Sequence, residues 1–228
     1  MADNFHPDYD LSQGKTVITA HSGCEGTEPG SRENIMTALS SGAEMLEVDV
    51  RKNGDLLFLS HDPCDTPEKC TTLDFVFANL AEKPLMRINC DVKTPGLIAP
   101  VMALAKKHGV EKAVVFTGEC NLEYEEIRAL GGELWYSMWP WKGELSEEMP
   151  KAVAFCKEIS CPVINPHFSM VTDETNALLA ENGIRFSAWT ADTEEEIRRL
   201  LEMGVLNITT RKPLLALKLR DEIQGKIK

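Results

Sequence analysis

Nowhere in these 228 residues does an apolar run approach the ~20 positions needed to cross a bilayer, so no transmembrane segment is expected. The opening stretch, MADNFHPDYDLSQGK, lacks the basic start and apolar centre of a secretory leader. Positive charge is scarce: 24 Lys and Arg stand against 36 Asp and Glu, a formal net charge of −12. That balance argues against a broad nucleic-acid footprint or a polybasic membrane patch, while leaving room for a small anionic substrate held by local cations. Glycine-rich phosphate loops are missing as well. The first apolar segment runs into Ala20-His21-Ser22-Gly23, which is neither a dinucleotide fingerprint nor a phosphate-binding loop. The 7 cysteines are odd in number and dispersed, a pattern of cytosolic thiols and a cytoplasmic location rather than of a disulfide framework. No second ligand pair stands at zinc-finger spacing. Cys64 and Cys70 bracket a tight loop and are read as reduced thiols, with a loop-closing disulfide as the alternative. The 43% hydrophobic share suffices for one well-buried core, so residues 1–228 are expected to form a single domain.

What is present is a steady alternation. Strand patterns fall at 16–20, 45–50, 56–60, 85–92, 113–116, 133–137, 163–165, 185–189 and 207–209. Helix patterns fall at 32–41, 73–80, 98–108, 124–130, 144–158, 173–181, 193–203 and 214–227. Helix-start chemistry marks Thr172-Asp173-Glu174 and Thr190-Ala191-Asp192, and glycines 42, 109, 131, 183 and 204 mark helix ends. Such alternation fits either a parallel barrel or a doubly wound sheet. Polar residues gather at the carboxyl ends of strands (His21, Asp49, His61, Asp91, Lys93 and Trp189), and in a barrel those ends open on one face. The expectation is a (β/α)8 TIM barrel.

The stretch from Met45 to Asp62 is the most informative. Glu47 and Asp49 stand two apart on a strand and so share a face, while Leu46, Val48 and Val50 share the other. An Asn53-Gly54 turn returns the chain, and the second strand ends at His61. On a later strand Asn89, Asp91 and Lys93 repeat the pattern. Glu47, Asp49 and Asp91 make a hard oxygen set suited to one divalent cation, Ca2+ or Mg2+. Lys93 is a point charge suited to a phosphate oxygen. The competing reading is a buried ion-pair network in which Lys93 neutralises a carboxylate. His21 and His61, each at a strand end, suit either proton transfer or metal ligation. Trp189, also at a strand end, is read as a wall beside the substrate. Trp135, Trp139 and Trp141 are read as loop packing around Pro140 or as an apolar rim for peripheral lipid contact. The oligomeric state is not legible.

These residues resemble the glycerophosphodiester phosphodiesterases. The string AHSGCEGTEPGSRENIMTALSSGAEMLEVDVRKNGDLLFLSHDP is similar to the family's opening at His21, Gly23, Glu33-Asn34, Gly42-Ala43, Glu47 to Val50 and His61-Asp62. Asp91-Val92-Lys93 resembles its carboxylate-x-Lys strand, Trp189-Thr190-Ala191-Asp192 its Trp-Thr-Val-Asn, and 204–213 its last strand. The resemblance implies a (β/α)8 barrel, a divalent cation on Glu47, Asp49 and Asp91, and acid/base roles for His21 and His61. It implies hydrolysis of a small-molecule phosphodiester to an alcohol and sn-glycerol 3-phosphate.

The chain also departs from that family. Ser22 stands where the family has a phosphate-clamping arginine, with Lys93, Arg32 and Arg87 as candidates to compensate. Asp91 replaces a glutamate, and Arg211 an aspartate. The span from His61 to Lys93 lacks the usual helical insertion and, with Cys64 and Cys70, resembles the sphingomyelinase D branch. Two alternatives follow: phospholipase D-like action on lysophospholipids and larger lipid diesters, or a non-catalytic barrel that binds a phosphorylated ligand.

Overall fold

The computed structural model describes residues 14–139 and 144–225. Strands alternate with helices along the chain, apart from two places where one strand is followed directly by another. β1 (Val17–Ala20), β2 (Met45–Asn53), β4 (Arg87–Val92), β5 (Val114–Gly118), β8 (Val163–Pro166), β9 (Arg185–Ala188) and β10 (Asn207–Thr210) run parallel, while β3 (Leu56–Leu59) folds back antiparallel on β2. The helices are α1 (Arg32–Ser40), α2 (Leu73–Leu80), α3 (Ile98–His108), α4 (Tyr124–Leu130), α5 (Leu145–Glu158), α6 (Asp173–Glu181), α7 (Glu194–Glu202) and α8 (Pro213–Gln224).

The expected strand at 133–137 is interrupted. β6 (Glu133–Leu134) pairs with β5, and β7 (Tyr136–Met138) pairs with β8, with Trp135 between them. The two pieces form one stave, which joins the halves of the sheet, while β1 pairs with β10 to close the circuit. Counting β6 and β7 together, the result is a (β/α)8 barrel with β3 as an added hairpin strand. Trp135 is 2% exposed, so it belongs to the interior and not to an aromatic rim. Trp141 and Pro140 lie outside the described residues.

The barrel interior is stratified. Val17, Met45, Val115, Trp135, Val163 and Leu206 pack together at the amino-terminal end of the strands. Above them, the inward positions carry small polar groups. Thr19 Oγ1 donates to Asn207 Oδ1 (2.7 Å), Thr117 Oγ1 to Asn89 Oδ1 (2.9 Å), Ser187 Oγ to Asn165 Oδ1 (2.8 Å), and Asn207 Nδ2 to Ser187 Oγ (3.0 Å). Burial of such groups is tolerated because each is hydrogen-bonded. Leu46, Val48, Val50, Ile88, Cys90 and Val92 join the main core, which lies between sheet and helices.

The seam between first and last strands is locked from below by α8. Arg220, itself buried, pairs with Glu44 at 2.9 Å and donates to the Thr16 carbonyl at 3.0 Å, while Glu44 Oε2 also accepts from Ile18 N–H. Gln224 Oε1 accepts from Thr16 N–H at 2.9 Å. Glu44→Ala leaves the Arg220 guanidinium buried without its counter-charge. It should therefore destabilise the fold by about 3–5 kcal/mol, read as a lower urea midpoint at unchanged m-value.

Candidate active site

The carboxyl ends of the strands bring five of the sequence-identified residues into one network. Lys93 follows β4 directly, and its Nζ lies 2.7 Å from Asp49 Oδ1 and 3.0 Å from Asp91 Oδ1. Asp49 and Asp91 are paired in register on the neighbouring strands β2 and β4, which is why one ammonium reaches both. Asp91 Oδ2 accepts from Thr117 Oγ1 at 3.1 Å. Glu47, one pleat deeper on β2 and 5% exposed, accepts the Ser22 backbone N–H at 3.1 Å and lies 3.8 Å from His21 Nε2.

Charge in this network is unbalanced. Burial, then the charges of Asp49 and Asp91, hold the Glu47 carboxyl well above its ordinary range. Burial also raises Asp91 against the opposing pull of Lys93. Burial by itself would push Lys93 down, but the Asp91, Asp49 and Glu47 charges outweigh it and keep the ammonium charged. His21 is lowered, by burial first and by the Arg211 charge second. Its Nδ1 lies 2.9 Å from the Ser22 carbonyl, an acceptor, so Nδ1 carries the proton and Nε2 offers its lone pair.

His61 stands apart from this network. Its side chain is 70% exposed, and Nδ1 meets Asp62 Oδ1 at 3.0 Å, while Arg51 Nη2 donates to its carbonyl at 2.7 Å. It shares with Asp49 and Ser22 a cavity of about 430 Å3 beside β3. Ser22 Oγ accepts from Gly30 N–H at 3.1 Å. Trp189, at the end of β9, donates Nε1–H to the Asn165 carbonyl and meets Trp139 edge-on at 5.4 Å and His167 at 5.5 Å. The thiols of Cys64 and Cys70 are free, with Sγ atoms 3.4 Å apart.

Both arginines considered as compensation for Ser22 are engaged with other side chains. Arg32 stacks over the Phe75 ring at 4.8 Å. Arg87, at the amino-terminal start of β4, pairs with Glu133 at 2.6 Å. Of the hydrogen-bonded floor of Thr19, Asn89, Thr117, Asn165, Ser187 and Asn207, Asn89 alone was placed on the inward face from sequence. The signal of the floor is a Ser, Thr or Asn at one inward position of successive strands. Gly118 is also required: its φ is +89°, and a Cβ there would overlap the Val92 carbonyl and come within 2.6 Å of Asp91 Oδ1.

The donor set fits a divalent cation chemically, since all three carboxylates offer hard oxygens and their charge exceeds that of Lys93. Among the described residues, however, no three His, Cys, Asp or Glu side chains are gathered at metal-holding spacing. Lys93 itself occupies the cationic position between Asp49 and Asp91.

The fold and mouth thus define a (β/α)8 barrel with an acidic, histidine-bearing carboxyl-terminal face. No family model matches the chain. A glycerophosphodiester phosphodiesterase of Caldanaerobacter subterraneus subsp. tengcongensis is 20% identical, covering 87% of this chain and 95% of that protein. Among solved structures, one from Agrobacterium tumefaciens C58 superposes with a TM-score of 0.82 at 19% identity, covering 93% of this chain and 100% of that one. A glycerophosphodiester phosphodiesterase of Thermotoga maritima gives a TM-score of 0.72 at 19% identity, covering 90% of this chain and 98% of that one. A phosphodiesterase of Oleispira antarctica, in complex with the product sn-glycerol-3-phosphate, gives 0.71 at 16% identity over 91% and 97%. The family resemblance read from the spaced motifs fits these findings. Among the described residues no helix is long and apolar enough to cross a membrane.

A carboxyl whose folded-state pKa exceeds its unfolded-state value costs stability above the unfolded value, and the cost fades as pH falls through the folded pKa. Glu47→Gln keeps an acceptor for Ser22 N–H and removes that charge. In EDTA it should melt about 3 °C or more above the parent at pH 8, with the difference closing as the pH falls to about 4.

Proposed function

We propose that the protein is a phosphoric diester hydrolase that cleaves glycerophosphodiesters to an alcohol and sn-glycerol 3-phosphate. The observation that carries this reading is the convergence of His21, Glu47, Asp49, Asp91 and Lys93 at one barrel mouth, in the order and spacing of the family motifs. Glu47, Asp49 and Asp91 would hold one divalent cation, Ca2+ or Mg2+, which when bound neutralises charge on the phosphoryl oxygens. His21, with Nδ1 pinned, takes at Nε2 the proton of the attacking hydroxyl, the substrate's own glycerol 2-OH. His61, whose Nδ1 is held by Asp62, delivers a proton to the leaving alcohol oxygen. Water then opens the cyclic phosphate with the two roles exchanged. Lys93 offsets the carboxylates and attracts the anionic diester, and Trp189 walls the mouth. The reading places the enzyme in the cytoplasm, in keeping with its free cysteines.

A second reading rests on a separate observation. A cavity of about 620 Å3 opens beside Gly118, its apolar wall made by Leu122, Tyr136, Met138, Trp139 and Phe155 and its charged part by Glu119, Glu123, Glu148 and Lys151. It is large and apolar enough to accept the acyl portion of a lysophospholipid diester.

Release of glycerol 3-phosphate from glycerophosphocholine and glycerophosphoethanolamine, assayed beside lysophosphatidylcholine, separates the two readings by which substrate turns over. EDTA should abolish turnover and added Ca2+ or Mg2+ restore it. His21→Ala and His61→Ala should each lower kcat about 10²–10⁴-fold. Metal binding without turnover on any of these diesters would instead identify a non-catalytic ligand-binding barrel.

A further inference from the structure

Most cations near the mouth are already engaged, although Lys69 lines the cavity shared by Ser22, Asp49 and His61. Lys93 is engaged by two carboxylates, Arg32 by a ring, Arg87 by Glu133 at the far end of the barrel, and Arg51 by the Ser60 and His61 carbonyls. A phosphodiester in this mouth still needs a donor for its unesterified oxygens, and position 22, a serine, cannot supply a cation.

The register of the closing seam brings in another arginine. β1 and β10 pair Ala20 with Thr210, and His21 N–H donates to the Thr210 carbonyl at 2.9 Å. His21 and Arg211 therefore leave adjacent staves side by side. Arg211 is anchored at three points. Its N–H donates to Asp192 Oδ1 at 2.7 Å, its Nη1 meets Asp192 Oδ2 at 2.8 Å, and its carbonyl accepts from Glu25 N–H at 2.9 Å. Asp192 Oδ1 also accepts from Thr210 Oγ1 at 3.3 Å. Asp192 and Arg211 both depart from the resembled pattern, which has Asn and Asp at these places, and each departure is matched by the other in this ion pair. The guanidinium side chain remains 45% exposed. A guanidinium carries five N–H groups in one plane, so one edge held by a carboxylate leaves donors for a second anion.

We propose that Arg211, positioned by Asp192, is the phosphate clamp of this mouth, binding the unesterified oxygens of the diester beside His21 in place of an arginine at position 22. This rests on the glycerophosphodiester reading and adds to it the residue that fixes the phosphoryl group.

Calorimetric titration with sn-glycerol 3-phosphate and with inorganic phosphate tests it. The parent protein should bind both, and Arg211→Ala should weaken each at least tenfold, with a matching rise in KM for the diester. Arg211→Lys should recover part of the loss. Arg185→Ala, an equal charge loss at the exposed start of β9, should change nothing. Asp192→Asn keeps the guanidinium and the Oδ1 acceptor for Arg211 N–H and Thr210 Oγ1, so Arg211 stays placed and most of the binding should be retained. If Asp192→Asn loses as much as Arg211→Ala, Arg211 is structural and the clamp is overturned. The double variant Asp192→Asn/Arg211→Gln keeps a side-chain hydrogen bond without the cation and should bind as weakly as Arg211→Ala, so instability of the single variant does not obscure the result. Unchanged binding by Arg211→Ala overturns the clamp alone, whereas a parent protein that binds neither anion overturns the glycerophosphodiester reading together with it.

Discussion

One ammonium between two carboxylates organises the mouth of this barrel. Lys93 spans Asp49 and Asp91 on adjacent strands and draws together two groups that would otherwise repel in a partly dehydrated site. The pair can be shared because the strands are in register, and the register is held by the sheet ladder below. Glu47 feels that charge without pairing with it, and is served by the Ser22 amide, with His21 as neighbour. The excess of negative charge is thus a property of the scaffold itself, and it is what gives a cationic ligand or a cationic side chain value here.

Beneath the charged layer the barrel changes character twice. Small hydrogen-bonding residues fill the middle, and large apolar ones, with Trp135 among them, fill the base. The polar middle fixes the inward strand positions on which the carboxylates rest, through side chains with few rotamers to lose. The apolar base supplies the burial. Gly118 is the point at which β5 passes so close to Asp91 that no side chain fits.

Local patterns carried much of the architecture. Alternating strands and helices, the hairpin (which turns on Gly54-Asp55, with Asn53 still paired to Leu56) and the helix-start threonines are all short-range signals, and α4 and α6 fall on the expected residues. The capping box at Thr172 shows the mechanism, its hydroxyl accepting from the third residue of its helix, whereas α7 is capped in the same way by Thr193 and not by the expected Thr190-Ala191-Asp192 stretch. The Glu47-x-Asp49 and Asp91-x-Lys93 spacings were legible because period-two alternation puts their side chains on one face. What could not be read depends on lateral register. Nothing in the sequence says that Lys93 bridges two strands, that Trp135 splits a stave and turns inward, or that residue 211 sits beside residue 21. Arg32 and Arg87 looked equally available until the positions of Phe75 and Glu133 were known.

The pairing of β1 with β10 also imposes an order on biosynthesis. Val17 finds its lateral partner in Asn207, so a chain emerging at ~5–20 residues per second leaves the first strand with one open edge for on the order of 10–40 s. During that interval β2 and β4 can already assemble around Lys93, while the edge of β1 remains a template for wrong partners. The seam cannot close until residues 207–210 have left the ribosome, so a nascent chain stalled earlier would carry its histidines and carboxylates in an unclosed crescent.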